Sequence, residues 1–152
     1  MSVVVDASVA LRWFVDQPGH EDAAAWLRRL RSEPDILIAP DVLRMETFGG
    51  LCRLQPRRDP TWAGRCFARF DRLGIRTVPT TMPLFQRGAA LARELGVGGY
   101  DAIYLAHAES MKMRWLTADQ KALRRLRGDP RVLALGPVPS EPLHSISSKA
   151  IV

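Results

Sequence analysis

Short, unbroken apolar runs alternate along the chain with longer stretches in which apolar residues recur every three or four positions. Val3, Val4 and Val5 are all β-branched, too few for a helix and ended by Asp6, so they read as a buried strand. The next residues, SVALRWFV, space Val9, Trp13 and Phe14 as a helix would. A second helix is predicted from residue 20 to about 33, with Ala24, Leu27 and Leu30 as its apolar stripe and Arg28, Arg29 and Arg31 around it. Residues 36–39 read as a buried strand closed by Pro40, with Asp41 as the N-cap of a helix running to about residue 55.

After the break Arg57-Arg58-Asp59-Pro60, a helix is predicted over 61–73, ended by Gly74, and a short strand over 75–78. Pro83 opens a helix to about residue 95, and the glycines at 96, 98 and 99 turn the chain into another over about 100–113. Residues 115–117 read as a strand, and Asp119 starts a helix containing Ala122, Leu123 and Leu126. Asp129-Pro130 is a turn before a last strand over 132–135.

Strands separated by helices require right-handed crossovers, which give a mainly parallel sheet covered on both faces. The expected fold is therefore a three-layer α/β/α domain with about five strands, spanning residues 1–136. Residues 137–152 carry three prolines and closely spaced serines without periodicity, as expected of a loosely ordered C-terminal tail. A length of 152 residues with 47% hydrophobic composition suits one such domain. No run approaches the ~20 apolar residues of a membrane span, and Asp6 interrupts the apolar N-terminus in a way that does not suit a signal peptide, so a cytoplasmic protein is expected.

Ligands of open parallel sheets bind beyond the carboxyl ends of the strands. Four acids map to that edge: Asp6 after the first strand, Asp119 after the strand 115–117, Asp101 after the glycine turn, and Glu46 one turn into a helix. Glu46 has the apolar neighbours Val42, Leu43, Met45 and Phe48, among which a carboxylate needs a partner. A cation would provide one. Carboxylate oxygens suit Mg2+ or Mn2+ rather than a soft metal, and four gathered carboxylates would repel one another without a cation. Paired divalent ions held this way hydrolyse phosphodiesters. Each of Asp6, Asp101 and Asp119 also has a plain structural reading, as a helix cap or as a charge facing a helix dipole. Asp41 and Asp129 are left to a cap and a turn, and Glu109 is expected to face away from the acidic edge.

Nineteen of the 22 basic residues are Arg, against 16 acids, for a net charge of +6 that favours an anionic partner. A nucleic-acid surface would use arginine this way, although G and C-rich coding favours it as well. Any single one of Arg57, Arg58, Arg124, Arg125 and Arg127 reads as a solvated charge. Cys52 and Cys66 form no metal-binding pattern and read as buried or half-buried free thiols. His20, His107 and His144 are scattered over a helix start, a helix interior and the tail, unlike a His-His nuclease. Leu11, Trp13 and Phe14 lie on one short helix, where they are expected either in the core or in a groove for a dimer mate or partner helix.

Three stretches, VVVDASVALRWF, APDVLRMETFGGLCRL and VGGYDAIYLAHAESMKMRWLTADQKAL, share the order and spacing of one family. Over residues 3 to about 135 the chain resembles a PIN-domain ribonuclease of the VapC toxin type. The resemblance puts the family's metal-binding acids on Asp6, Glu46, Asp101 and Asp119, and supporting polar positions on Ser8 and Thr117. It also implies a Mg2+-dependent endoribonuclease that leaves 5′-phosphate ends, forms a homodimer, and is silenced by a small VapB-like antitoxin with a DNA-binding domain. Two alternatives stand beside it: a catalytically inert PIN fold that holds RNA or protein, and a phosphotransfer domain of receiver or phosphatase type. The second lacks support in Asp6-Ala7-Ser8, which supplies neither adjacent acids nor a DxD pair.

Overall fold

In the computed structural model, which describes residues 2–140, five strands form one all-parallel sheet in the order β3-β2-β1-β4-β5. The strands are β1 (Val3–Val5), β2 (Leu37–Pro40), β3 (Arg76–Val78), β4 (Arg114–Thr117) and β5 (Val132–Ala134). Between them run α1 (Ala7–Leu11), α2 (His20–Leu30), α3 (Val42–Leu54), α4 (Trp62–Asp71), α5 (Met82–Leu95), α6 (Gly99–Met111) and α7 (Gln120–Arg125). The three-layer α/β/α arrangement expected from the strand and helix alternation is the one observed. β1 lies at the centre, with Val3, Val4 and Val5 fully buried, which is why an unbroken β-branched run rather than an alternating one encodes it.

Most element ends fall within one to three residues of those read from the sequence, and the differences have local causes. Helix α1 stops at Leu11, and residues 12–14 continue as turns. Pro40 is the last residue of β2 rather than its stop. The pairing of β2 with β3 runs on past it, the Asp41 amide donating to the Val78 carbonyl at 3.0 Å, whereas the pairing of β2 with β1 reaches only Ile38, before the missing proline N–H. Asp41 does not cap α3: its carboxylate accepts instead from the backbone N–H of Thr80 at 3.0 Å and from the Thr80 hydroxyl at 2.5 Å. The Thr80 oxygen also lies 3.0 Å from Nε2 of the buried His107, tying the ends of β2 and β3 to α6.

Trp13 and Phe14 pack against the core, Leu11 and Phe14 join a small cluster around Leu51 and Cys66, and the Trp13 indole N–H donates to the Ala23 carbonyl at 2.9 Å. All three are half-buried, and Leu11 also reaches the cleft described below. The exposed large apolar side chains are instead Met45, Phe48 and Leu54 on α3, and Met82, Phe85 and Tyr100 on α5 and α6. Cys66 is buried, but Cys52 is exposed rather than half-buried. After β5 the chain is held at its first residues, where Trp26 Nε1 donates to the Gly136 carbonyl and Arg29 to that of Pro139. The remainder of the expected tail, including His144, lies outside the described residues.

Helices α1 and α3 approach closely at Gly50, where a Cβ atom would stand 2.5 Å from Cδ1 of Leu11. Gly50→Ala should therefore destabilise the protein by about 1 kcal/mol, since overpacking of roughly 1–3 kcal/mol outweighs the helix propensity gained. Chemical denaturation reads this directly. Combining it with Leu11→Ala should cost less than the sum of the two changes, and strict additivity would mean that Leu11 simply swings aside.

Candidate active site

The carboxyl ends of β1 and β4 lie side by side, with Val5 opposite Leu116, so the residues that follow both strands meet at one point of the sheet edge. Asp6 follows β1 and is 6% exposed. Its Oδ2 accepts from the Thr117 hydroxyl at 2.8 Å and, very closely, from the Ser8 hydroxyl. Thr117 Oγ1 in turn accepts from the Asp119 amide at 3.1 Å, and Ser8 Oγ from the Ala118 amide at 2.9 Å. Two hydroxyls thus join the end of β1 to the loop after β4, and both supporting positions read from the sequence lie against Asp6.

Asp119 is also the cap of α7, accepting from the amides of Lys121 at 2.8 Å and Ala122 at 3.1 Å through Oδ1. Asp101 sits in the first turn of α6. Three residues further along that helix, the Tyr104 hydroxyl donates to Glu46 Oε2 at 2.6 Å. Glu46 therefore has a protein partner, and its helix is less apolar in context than its sequence implied, because Met45 and Phe48 are exposed. Tyr104 itself is fully buried and stacked on Trp115 at 5.7 Å between ring centroids.

Asp6, Glu46, Asp101 and Asp119 line a single cleft of about 550 Å³, together with Ser8, Arg53 and Tyr100. Their donor set consists of carboxylate oxygens, which fits a hard divalent cation such as Mg2+. As the side chains stand, no three His, Cys, Asp or Glu among the described residues are close enough to share an ion. Mg2+ does not require such a cage, because it keeps several waters and is commonly held by one or two carboxylates.

The acids perturb one another. Burial pushes Asp6 up, and the hydrogen bonds from Ser8 and Thr117 offset part of that. Glu46 is raised by burial and by the charges of Asp6 and Asp101, against the lowering effect of the Tyr104 hydrogen bond. Asp101 is pushed up to about 6, by burial first and then by the charges of Asp6 and Asp119. A carboxyl held above its unfolded value binds its proton more tightly when folded, so metal-free stability falls as pH rises from about 4 through 6. Asp101→Asn removes this penalty. In chelator, its melting temperature should match that of the unchanged protein near pH 4 and exceed it by a few degrees at pH 7, for about 1 kcal/mol once solvent screening is allowed for. An equal melting temperature at both pH values would mean that neither burial nor the neighbouring acids hold Asp101 above its ordinary value.

Other acids stay out of the cleft. Glu109 faces away, as expected, bridging Arg87 at 2.7 Å and Arg131 at 2.7 Å. Asp129 is a turn residue whose carboxylate accepts from the Arg131 amide at 2.9 Å. Sequence reasoning missed Tyr104 and Arg53. The spacing carried a signal for both: Tyr104 is one helical turn after Asp101, and Arg53 two turns after Glu46.

Comparison with known proteins agrees with this architecture. No curated protein matches the sequence significantly. The fold is similar to that of a toxin-antitoxin complex from Klebsiella pneumoniae, with a TM-score of 0.64 and 18% identity over 90% of this chain and 100% of that one. It is similar as well to PAE2754 from Pyrobaculum aerophilum, with a TM-score of 0.64 and 23% identity over 89% and 90% of the two chains. FitAcB from Neisseria gonorrhoeae aligns with a TM-score of 0.61 and 18% identity over 89% and 97%. The PIN domain family model matches residues 3–129, from β1 through the turn before β5, and the chain belongs to the PIN domain family.

Proposed function

We propose that the chain is a Mg2+-dependent endoribonuclease of the VapC toxin type, with Asp6, Glu46, Asp101 and Asp119 as the metal-holding acids. The observation that carries this reading is the meeting of four carboxylates from four separate elements in one cleft, each raised or neighboured by another. Bound there, Mg2+ would supply an activated water and screen the phosphate charge; Mn2+ has the same donor preference and would substitute. The protein's own residues do the rest. Ser8 and Thr117 hold the Asp6 carboxylate in one orientation, and the Tyr104 hydroxyl fixes Glu46. The net charge of +6 suits an anionic substrate such as RNA.

The toxin assignment draws on a solved structure described as a toxin-antitoxin complex, which supports an antitoxin as partner; a small VapB-like one is our reading. Exposed Met82, Phe85 and Tyr100 provide apolar surface suited to a homodimer. No described helix is long and apolar enough to cross a membrane, in keeping with action on RNA in the cytoplasm.

Incubating the protein with total RNA, in Mg2+ and in chelator, tests the reading. The expected result is cleavage only with the metal, giving fragments with 5′-phosphate ends at a restricted set of positions. Cleavage unaffected by chelator would overturn it, and RNA binding without cleavage would put the inert RNA-holding module in its place.

A further inference from the structure

The carboxylates that would hold a cation also repel a polyanion, so a nuclease cleft needs a cation of its own where the RNA backbone enters. Among the residues lining this cleft there is one arginine, Arg53. It lies on the same face of α3 as Glu46, seven residues or about 10.5 Å further along the axis. Between them is Gly49, and a Cβ atom there would stand 3.6 Å from Nη1 of Arg53. The guanidinium is therefore laid back along the helix over Gly49, in the direction of Glu46, instead of extending from the end of α3. Its charge is felt at Glu46, where it opposes the effect of Asp6 and Asp101.

Arg53 nevertheless makes no ion pair or hydrogen bond with another described residue. Some arginines are engaged, as Arg44 is with Asp71, Arg65 with Asp59, Arg87 with Glu109 and Arg131 with Asp129, and others such as Arg57 and Arg72 are unpaired like Arg53 but do not line the cleft. Arg12, closest in character, spends its donors on the carbonyls of Pro18 and Ser8 and so braces the loop around the site. Arg53 is exposed on the lining of the acidic cleft and keeps its fork free. A guanidinium presents paired N–H groups that match two phosphate oxygens, and phosphate contacts fix the register of a nucleic acid without reading its sequence.

We propose that Arg53 binds the RNA phosphate next to the one that is cut, setting which phosphodiester reaches the acids. This rests on the ribonuclease reading above. It assigns to α3 two tasks two helical turns apart: Glu46 at the cutting point and Arg53 at the neighbouring phosphate. The bland role for a last-turn arginine, complementing the helix dipole, needs only positive charge, which lysine would provide equally.

The test measures binding of a short, labelled single-stranded RNA of mixed sequence to the non-cutting Asp6→Asn protein over a series of salt concentrations. Adding Arg53→Gln should weaken binding about tenfold and reduce the log-log salt slope by about 0.7, the value for one phosphate contact on a single strand. Arg53→Lys should recover the slope but only part of the affinity. Arg28→Gln, on α2 and away from the cleft, should do neither, while thermal melts confirm that each variant is folded. Unchanged affinity and slope in Arg53→Gln, or an equal loss in Arg28→Gln, would overturn the assignment while leaving the ribonuclease reading intact. If the unchanged protein neither binds nor cuts RNA, that reading falls, and this one with it.

Discussion

Asp6→Asn should lower the rate of RNA cleavage by on the order of 10³-fold while leaving a folded protein that is more heat-stable than the original in chelator. Electrostatic stabilisation by a bound cation is worth several kcal/mol in a phosphoryl transition state, and each 1.4 kcal/mol lost is a factor of ten. Asparagine keeps the shape of the side chain and an oxygen for the Ser8 and Thr117 hydroxyls, so the bonds at the end of β1 survive. What disappears is a buried charge held above its ordinary pKa by desolvation, which is why stability in chelator rises. The same change weakens the pull on Asp101, whose pKa of about 6 should fall because Asp6 is the foremost charge raising it. Initial rates with saturating Mg2+, paired with thermal melts, check both halves. Cleavage within tenfold of the unchanged protein in both Asp6→Asn and Asp101→Asn would remove these acids from the mechanism.

The largest effect on stability is expected at Trp115. It is fully buried at the middle of β4, between Val4 of β1 and Val132 of β5, with its ring nearly parallel to that of Tyr104 at 5°. Trp115→Ala should cost about 3–5 kcal/mol through lost burial and the cavity left behind, or roughly 6–20 °C in melting temperature for a domain of this size. The indole N–H has no hydrogen-bond partner among the described residues, so Trp115→Phe removes an unsatisfied donor as well as some volume. The phenylalanine variant should therefore stay within about 1.5 kcal/mol of the original. Urea titrations of both variants separate the two effects, and equal losses would mean that the indole N–H is satisfied after all. Because Tyr104 rests on Trp115 and holds Glu46, the alanine variant should also lose cleavage under conditions where it is still folded.

The strands and their order of appearance were legible because each is a short apolar run ended by a polar or turn residue, and periodicity is a local signal. The four acids were legible as positions for the same reason: a strand end or a first helical turn is visible in the sequence around it. Their partners were not. Asp41 looked like a cap because it precedes a helix, whereas the residue it binds, Thr80, is brought to it by the pairing of β2 with β3. Glu46 looked partnerless because its neighbours in sequence are apolar, but Tyr104 comes from α6, and Met45 and Phe48 turn out to solvent. The contacts of Leu11 and Phe14 were open because nothing local revealed that Leu51, Cys66 and the α4 side chains pack against them. In each case, the missing information is a contact between residues far apart in the chain, which hydrophobic spacing does not encode.

The central place of β1 has a consequence for the timing of synthesis. Of the five strands of the sheet β1 is made first, yet it must wait for both of its neighbours, β2 at residues 37–40 and β4 at residues 114–117. Until β4 has emerged, Asp6 lacks the Thr117 hydroxyl and the Leu116 carbonyl that fix it, and Asp119 has not yet been made. A nascent chain carrying Asp6, Glu46 and even Asp101 therefore has the site unassembled. The cleft of four acids can form only after residue 119 has been made, so the site is assembled by the later strands of the sheet rather than by the strand that carries its first acid.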